Sequence, residues 1–338
     1  MGGRALAALF YEGVVRALVG PQNHAAALIG FGSDVLGFDT ERSTDHGWGP
    51  RLQIFVAEDD REFVSKAIER GLPETFRGLR TRFGWDAHPV THHVDVAVLG
   101  SWLRGRLGCD PTGALTATDW LAMPQQRLAE VTGGPVFHDG RGDLTAVRDA
   151  LEWYPPQVWI HLLACQWQRL AQEEAFVGRA AEVGDDLGSR LVAARLARDL
   201  IRLCFLVERR YAPYSKWLGS AFNRLVLAPT VGPSLEAALA ADTFSDRERG
   251  LAAAYRSVAD AHNALGLTDT VNPAPRQFHG RPYLVSAAEE MVAACKAAVT
   301  DSELSRLPLT GNADQLLDST DALTEPAITF SLIQAVRG

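Results

Sequence analysis

Gly32, Ser33, Asp45 and Asp95 have the types and spacing of a phosphate site. Glycine lets a backbone approach an anion closely, and a serine hydroxyl with backbone N–H groups can hold a phosphate. An acid entering the following strand can hold a Mg²⁺ that bridges the phosphates. Asp95 sits in Val94-Asp95-Val96, an otherwise apolar stretch. A carboxylate buried there is costly unless it is paired or metal-bound, and a cation shared with Asp45 accounts for both acids. The same residues also fit a plain tight turn at 32–33 and an edge aspartate facing solvent at 95.

Three further groups carry candidate chemistry. Lys216 is one of three lysines in the chain and follows Arg209, Arg210 and Tyr211. At a helix start its charge opposes the macrodipole unless an anion is near; the alternative is a solvated basic helix end. Glu173 and Glu174 share one helix, where an acid could deprotonate a hydroxyl or bind a cationic acceptor, or both could be a solvated face. His88 and His92 have zinc spacing only on a helix, and Pro89 argues against one.

The elements that must position these residues divide the chain. Residues 4–19 read as an amphipathic first helix. Strands are expected at 25–29, 48–56, 93–99 and 133–137, with helices at 62–70 and 117–131. On the second strand Leu52, Ile54 and Val56 share one face, with Arg51 and Gln53 on the other; on the third, Val94, Val96 and Val98 oppose His93 and Asp95. Beyond Pro155 the pattern is helical, at 155–177, 186–210, 214–226, 234–241, 246–265 and 287–299. The expected class is α+β: a mixed sheet with helices over 1–145, an all-α bundle over 150–300, and a tail over 301–338, either mobile or a strap.

Gly32-Ser33, then Asp45 heading a strand, then Asp95 in a later strand resembles the nucleotidyltransferase superfamily, whose palm is like that of polymerase beta. Gly133-Gly134-Pro135-Val136-Phe137-His138-Asp139-Gly140 is similar to the closing strand of antibiotic nucleotidyltransferases, in which a helical domain follows. Three stretches resemble an uncharacterised bacterial family of that superfamily: 32–39, 45–51 and Tyr211-Ala212-Pro213-Tyr214-Ser215-Lys216-Trp217. That closer likeness runs over about residues 5–300. The resemblance implies Mg²⁺ on Asp45 and Asp95, and an NTP held by Gly32, Ser33, Arg51, Tyr211 and Lys216. Glu173 and Glu174 stand beside Asp45 and Asp95 as the catalytic candidates. The superfamily pattern places a second acid two residues after Asp45, and that position is Gly47.

With 33 basic against 41 acidic residues the net charge is −8. That disfavours bulk nucleic acid as a partner, since phosphate backbones need a basic surface. The four cysteines have no metal-ligand spacing and suit free thiols in a reducing compartment. The apolar start is interrupted by Tyr11, Glu12 and Arg16, so neither a signal core nor a membrane span is expected, and the chain is read as cytoplasmic. The leading expectation is transfer of a nucleoside monophosphate from an NTP to a small-molecule hydroxyl. The alternatives are a nucleotide-binding regulatory protein without transfer, which Gly47 favours, and transfer to a tRNA or a protein.

Overall fold

A computed structural model describes residues 1–45, 47–86 and 88–337, apart from the side chain of Asp45. The chain is a mixed α+β molecule that divides into two compact units. Unit 1 comprises Met1–Asp119 with Met123–Glu152; unit 2 comprises Trp120–Ala122 with Trp153–Gly338.

Unit 1 opens with helix α1 (Gly3–Phe10), a π-helical turn at Tyr11–Val15 and α2 (Arg16–Val19). Strand β1 (Ala25–Ala27) leads to the short helix α3 (Ser33–Leu36) and a 3₁₀ turn at Glu41–Asp45. Strand β2 (Arg51–Phe55) and helix α4 (Glu58–Gly71) follow. Next come β3 (Thr75–Phe76), β4 (Leu79–Arg80), β5 (Arg82–Trp85) and the long β6 (His88–Ala97). Helices α5 (Leu99–Leu107), α6 (Ala117–Ala122) and α7 (Gln125–Thr132), strand β7 (Val136–Asp139) and α8 (Asp143–Ala150) complete this part.

Five of these strands form one sheet in the order β5-β6-β2-β1-β7. β2 runs antiparallel to β1 and parallel to β6, with Arg51 beside His93 and Gln53 beside Asp95. Alternation then decides what each face carries. Leu52, Ile54 and Val94 turn to a core with Phe10, Tyr11, Val15, Val64 and Ile68. Arg51, Gln53, His93 and Asp95 share the other face. β5 pairs with β6 only as far as Arg82 beside His92, so among the described residues β6 has no strand on that side from His93 onward.

The expected helix at 117–131 is two helices. Pro124 has no N–H and disfavours helical geometry at Met123, whose ψ is 116°, so α6 ends there and α7 begins at Gln125. Strands β3, β4 and β5 lie in a stretch where no strand was expected, because Gly78 and Gly84 interrupt any apolar run.

Unit 2 is helical: α9 (Pro156–Glu173), α10 (Phe176–Glu182), α11 (Asp186–Val207), α12 (Ser215–Phe222), α13 (Ala228–Ala240) and α14 (Phe244–Asn263). A small hairpin of β8 (Arg276–Gln277) and β9 (Leu284–Val285) precedes α15 (Ala288–Ala298), which packs along α9. Pro156 sits at the start of α9, where its missing N–H removes no helical bond, and Asp185 caps α11 by accepting from Gly188 N at 2.8 Å. Helix α13 starts at Ala228 and keeps Pro233 inside it, ahead of the expected start at 234.

The last stretch is a strap. After a 3₁₀ turn at Leu304–Arg306 it forms α16 (Ala313–Leu316), α17 (Thr320–Thr324) and α18 (Pro326–Arg337). Asn312 and Gln315 cap α16 reciprocally and are both buried. Gln315 Nε2 donates to Gln166 Oε1 at 2.9 Å and to the Leu162 carbonyl at 3.3 Å, while Arg169 and Arg202 each donate at 2.6 Å to strap carbonyls, those of Gln315 and Asp314. All four cysteines are free thiols, and among the described residues no helix is long and apolar enough to cross a membrane.

Candidate functional site

A cavity of about 400 Å³ opens along the unpaired edge of β6, lined among others by Phe31, Arg51, Gln53, His93, Asp95 and Arg106. Arg51, Gln53, His93 and Asp95 reach it from the sheet face that the core does not use, and Ser65 and His92 reach it around the edge. Gln53 is held in place by accepting from Ile29 N at 2.9 Å. Asp95 is solvent-exposed, with one carboxylate oxygen accepting from Trp102 Nε1 at 2.9 Å. The premise of a carboxylate buried in an apolar strand therefore fails: the strand is apolar on one face and open on the other.

Arg51 is buried and ties down the turn above the sheet. Its NH2 donates to Asp34 Oδ1 at 2.5 Å and to the Phe31 carbonyl at 2.9 Å, and its guanidinium lies 4.7 Å from the Phe31 ring centre. Its Nε has no hydrogen-bond partner among the described residues. Gly32, at φ 126°, makes room for this pair, since a Cβ there would overlap both Arg51 NH2 and Asp34 Oδ1. Ser33 opens α3, and its carbonyl accepts from Phe38 N at 2.7 Å. The Gly-Ser turn thus carries its own ion pair.

Arg106, on α5, reaches the same turn. Its guanidinium lies 5.3 Å from the Trp102 ring centre and 5.9 Å from that of Phe31, against Gly30. It forms no hydrogen bond or ion pair among the described residues. Burial, first of all, holds its pKa below the ordinary arginine value. The nearby Glu130 is already engaged, accepting from Arg127 NH1 at 2.8 Å and Gln126 Nε2 at 2.9 Å. Sequence reasoning passed over Arg106; the signal was a basic residue on the first helix after the strand that bears Asp95.

An aromatic wall adjoins the cavity. Trp85 lies 6.0 Å from Phe31 and 5.0 Å from His93, ring centre to ring centre, and His88 lies tilted 4.6 Å from Trp85. His93 donates from Nε2 to the Phe83 carbonyl at 2.9 Å, and burial lowers its pKa against the pull of that bond. His92 turns away to Glu69, Nε2 to Oε2 2.9 Å. Gly47 lies in the same wall at φ 57°, where a Cβ would stand 3.0 Å from the Phe31 ring and 3.2 Å from Trp85. A side chain at position 47 would meet these rings.

Asp45 ends its 3₁₀ turn, and its side chain lies outside the described residues, as does His46. Among the described residues no cluster of His, Cys, Asp and Glu could hold a metal ion. The cavity offers one described carboxylate facing two guanidinium groups, a donor set that does not fit Mg²⁺.

The remaining candidates belong to unit 2. Glu173 pairs with Arg195 at 3.0 Å. Glu174 is buried and accepts from Ser286 N at 2.6 Å; burial pushes its pKa up to about 7. Lys216 is exposed in the first turn of α12, its Nζ 5.1 Å from the Trp217 ring centre. Tyr211 packs against Trp153 at 5.0 Å and Tyr154 at 5.4 Å.

A family model described as a domain of unknown function, DUF4037, matches residues 120–218. The match takes in Glu173, Glu174, Tyr211 and Lys216 and leaves out the cavity residues between Phe31 and Arg106. No curated protein and no solved structure matches the chain.

Proposed function

We propose that the chain is a nucleotidyltransferase-like protein whose unit 1 binds a nucleotide in the cavity along β6. The observation that carries this reading is the shared face of β2 and β6, which turns Arg51, Gln53, His93 and Asp95 toward one cavity beneath the Gly32-Ser33 turn. Arg106 supplies a cation for phosphate, and the exposed ring of Phe31 offers a surface on which a base can stack. The geometry supports nucleotide binding better than metal-dependent transfer, because the described donors do not make a cation site and rings fill the space at Gly47. A regulatory nucleotide-binding protein is the reading they favour.

Asp95 favours the second reading, transfer of a nucleoside monophosphate to a small-molecule hydroxyl. Its carboxylate is exposed on the cavity and oriented by Trp102. In that role it takes the proton of the acceptor hydroxyl as the oxygen attacks the α-phosphorus and pyrophosphate leaves.

A panel of nucleosides, monophosphates and triphosphates, read by thermal shift with Mg²⁺, Mn²⁺ or EDTA, tests binding. Stabilisation by no nucleotide would overturn the proposal. Pyrophosphate release with candidate acceptors tests transfer. If release occurs, Asp95→Asn should abolish it while leaving nucleotide binding in place.

A further inference from the structure

We propose that Arg106, with the free Nε of Arg51, forms a phosphate-binding subsite that works without a divalent metal. The inference deepens the nucleotide reading and rests on it. Two independent observations meet at one place. Arg51 is 2 % exposed and lines the cavity, yet its Nε has no partner among the described residues. A buried N–H of a charged group without an acceptor is costly, and the bonds to Asp34 and to the Phe31 carbonyl both come from NH2 of that guanidinium. Arg106 lines the same cavity with a half-buried guanidinium that no described residue accepts from.

Glu130 and Asp95 lie near enough to favour the charge of Arg106, but no described acid forms an ion pair with it. Asp34 belongs to Arg51 and Glu130 to Arg127 and Gln126, while Asp95 has one oxygen on Trp102 and forms no ion pair with Arg106. What remains is a planar cation fixed between two aromatic rings and a glycine backbone, with its edge free for an acceptor. Guanidinium groups bind phosphate through paired N–H donors, and stacking on rings fixes the plane that such pairing requires. Where a metal-dependent site neutralises phosphate charge with Mg²⁺, this cavity has guanidinium groups to do so.

The test is calorimetry on the full chain with ATP, adenosine and inorganic pyrophosphate, each in EDTA and in Mg²⁺. The wild type should bind ATP and pyrophosphate in EDTA. Arg106→Ala should weaken both about ten- to a hundredfold, as loss of a charge-assisted hydrogen bond implies, and leave adenosine unchanged. Arg106→Lys should recover part of the loss. Binding that appears only with Mg²⁺, or an unchanged ATP affinity in Arg106→Ala, would overturn the subsite and leave the nucleotide reading standing. Pyrophosphate bound through Arg106 with neither ATP nor adenosine bound would keep the subsite and remove the nucleotide. If Arg106→Ala does not fold, Arg106→Gln and Arg106→Lys, both still able to cover Phe31 and Trp102, give the same comparison.

Discussion

Arg51 and Asp34 hold the turn at 31–34 together from inside, so their removal is a stability question before it is a binding one. Breaking a buried pair from one side strands a charge, which typically costs about 3–5 kcal/mol, whereas replacing both partners costs far less. Asp34→Ala should therefore destabilise by about that amount, and Asp34→Ala with Arg51→Met should be milder. Equal losses in denaturant titrations of the two would mean that the pair is not the strut it looks to be. Gly47→Asp tests the proposed reading by placing an acid two residues after Asp45, but it must adopt a left-handed backbone and push into Phe31 and Trp85. The strain alone is worth about 1–3 kcal/mol, and no Mg²⁺-dependent stabilisation should appear. A variant as stable as wild type that gains stability with Mg²⁺ would show that the rings yield. The alternation around Asp95 was legible in the sequence, since its partners Val94 and Val96 declare the buried face. The partners of Arg51 were not, because Asp34 and the Phe31 carbonyl reach it across a fold that local pattern does not encode. Arg106 was invisible for the same reason: Leu-Arg-Gly-Arg-Leu reads as a solvated helix until Trp102 and Phe31 are brought around it.

At the scale of elements, caps and breakers were the most readable signals and composition the least. Pro124 and Pro156 acted where the chemistry of proline requires, and the first of them split a helix that apolar spacing alone runs through. The hairpin strands β3 and β4 are too short and too polar to show a period. Helix α9 ends on a residue whose environment no spacing reveals. Glu174 lies at its C-terminal edge and fixes the segment before α15 by accepting from Ser286 N. Burial raises its pKa from an ordinary 4.5 to about 7, with Ser286 pulling the other way and Glu289 adding to the rise. Between those two values the folded chain keeps a proton that the unfolded chain has released, so stability falls as pH rises through this window and the loss is complete above it. The effect is on the order of 3 kcal/mol. Glu174→Gln keeps an acceptor for Ser286 N without the charge. Its unfolding midpoint in denaturant should change less than the wild type's between pH 5 and pH 8. Parallel pH profiles for the two proteins would show that Glu174 does not titrate in that window.

Over the whole molecule each unit has its own core, and the part of unit 2 that looked least structured holds several of its buried polar groups. Asn312-Ala313-Asp314-Gln315 is a capping box that the sequence did display, an asparagine with a glutamine three residues on. It was passed over because no long apolar run follows it. What the sequence did not display is where the box docks. Gln315 satisfies Gln166 and the Leu162 carbonyl on α9, Asn312 donates to the Tyr154 hydroxyl at 3.3 Å, and the strap carbonyls take up Arg169 and Arg202. These partners lie more than a hundred residues away in the chain, beyond the reach of any periodicity. A chain ending at Pro308 would take the strap partners from Gln166 Oε1, Arg169 NH1 and Arg202 NH1, while Gln166 Nε2 and Arg169 Nε keep Asp199. Each buried group so orphaned costs about 1–3 kcal/mol, and together they approach the roughly 5–15 kcal/mol by which a domain is stable at all. The core of unit 1 includes none of them. Hydrogen exchange on the truncated chain should therefore show protection lost along 156–207 and kept along 51–55. Full protection of α9 and α11 without the strap would mean that water replaces its hydrogen bonds at no cost, and that the strap covers the bundle without holding it.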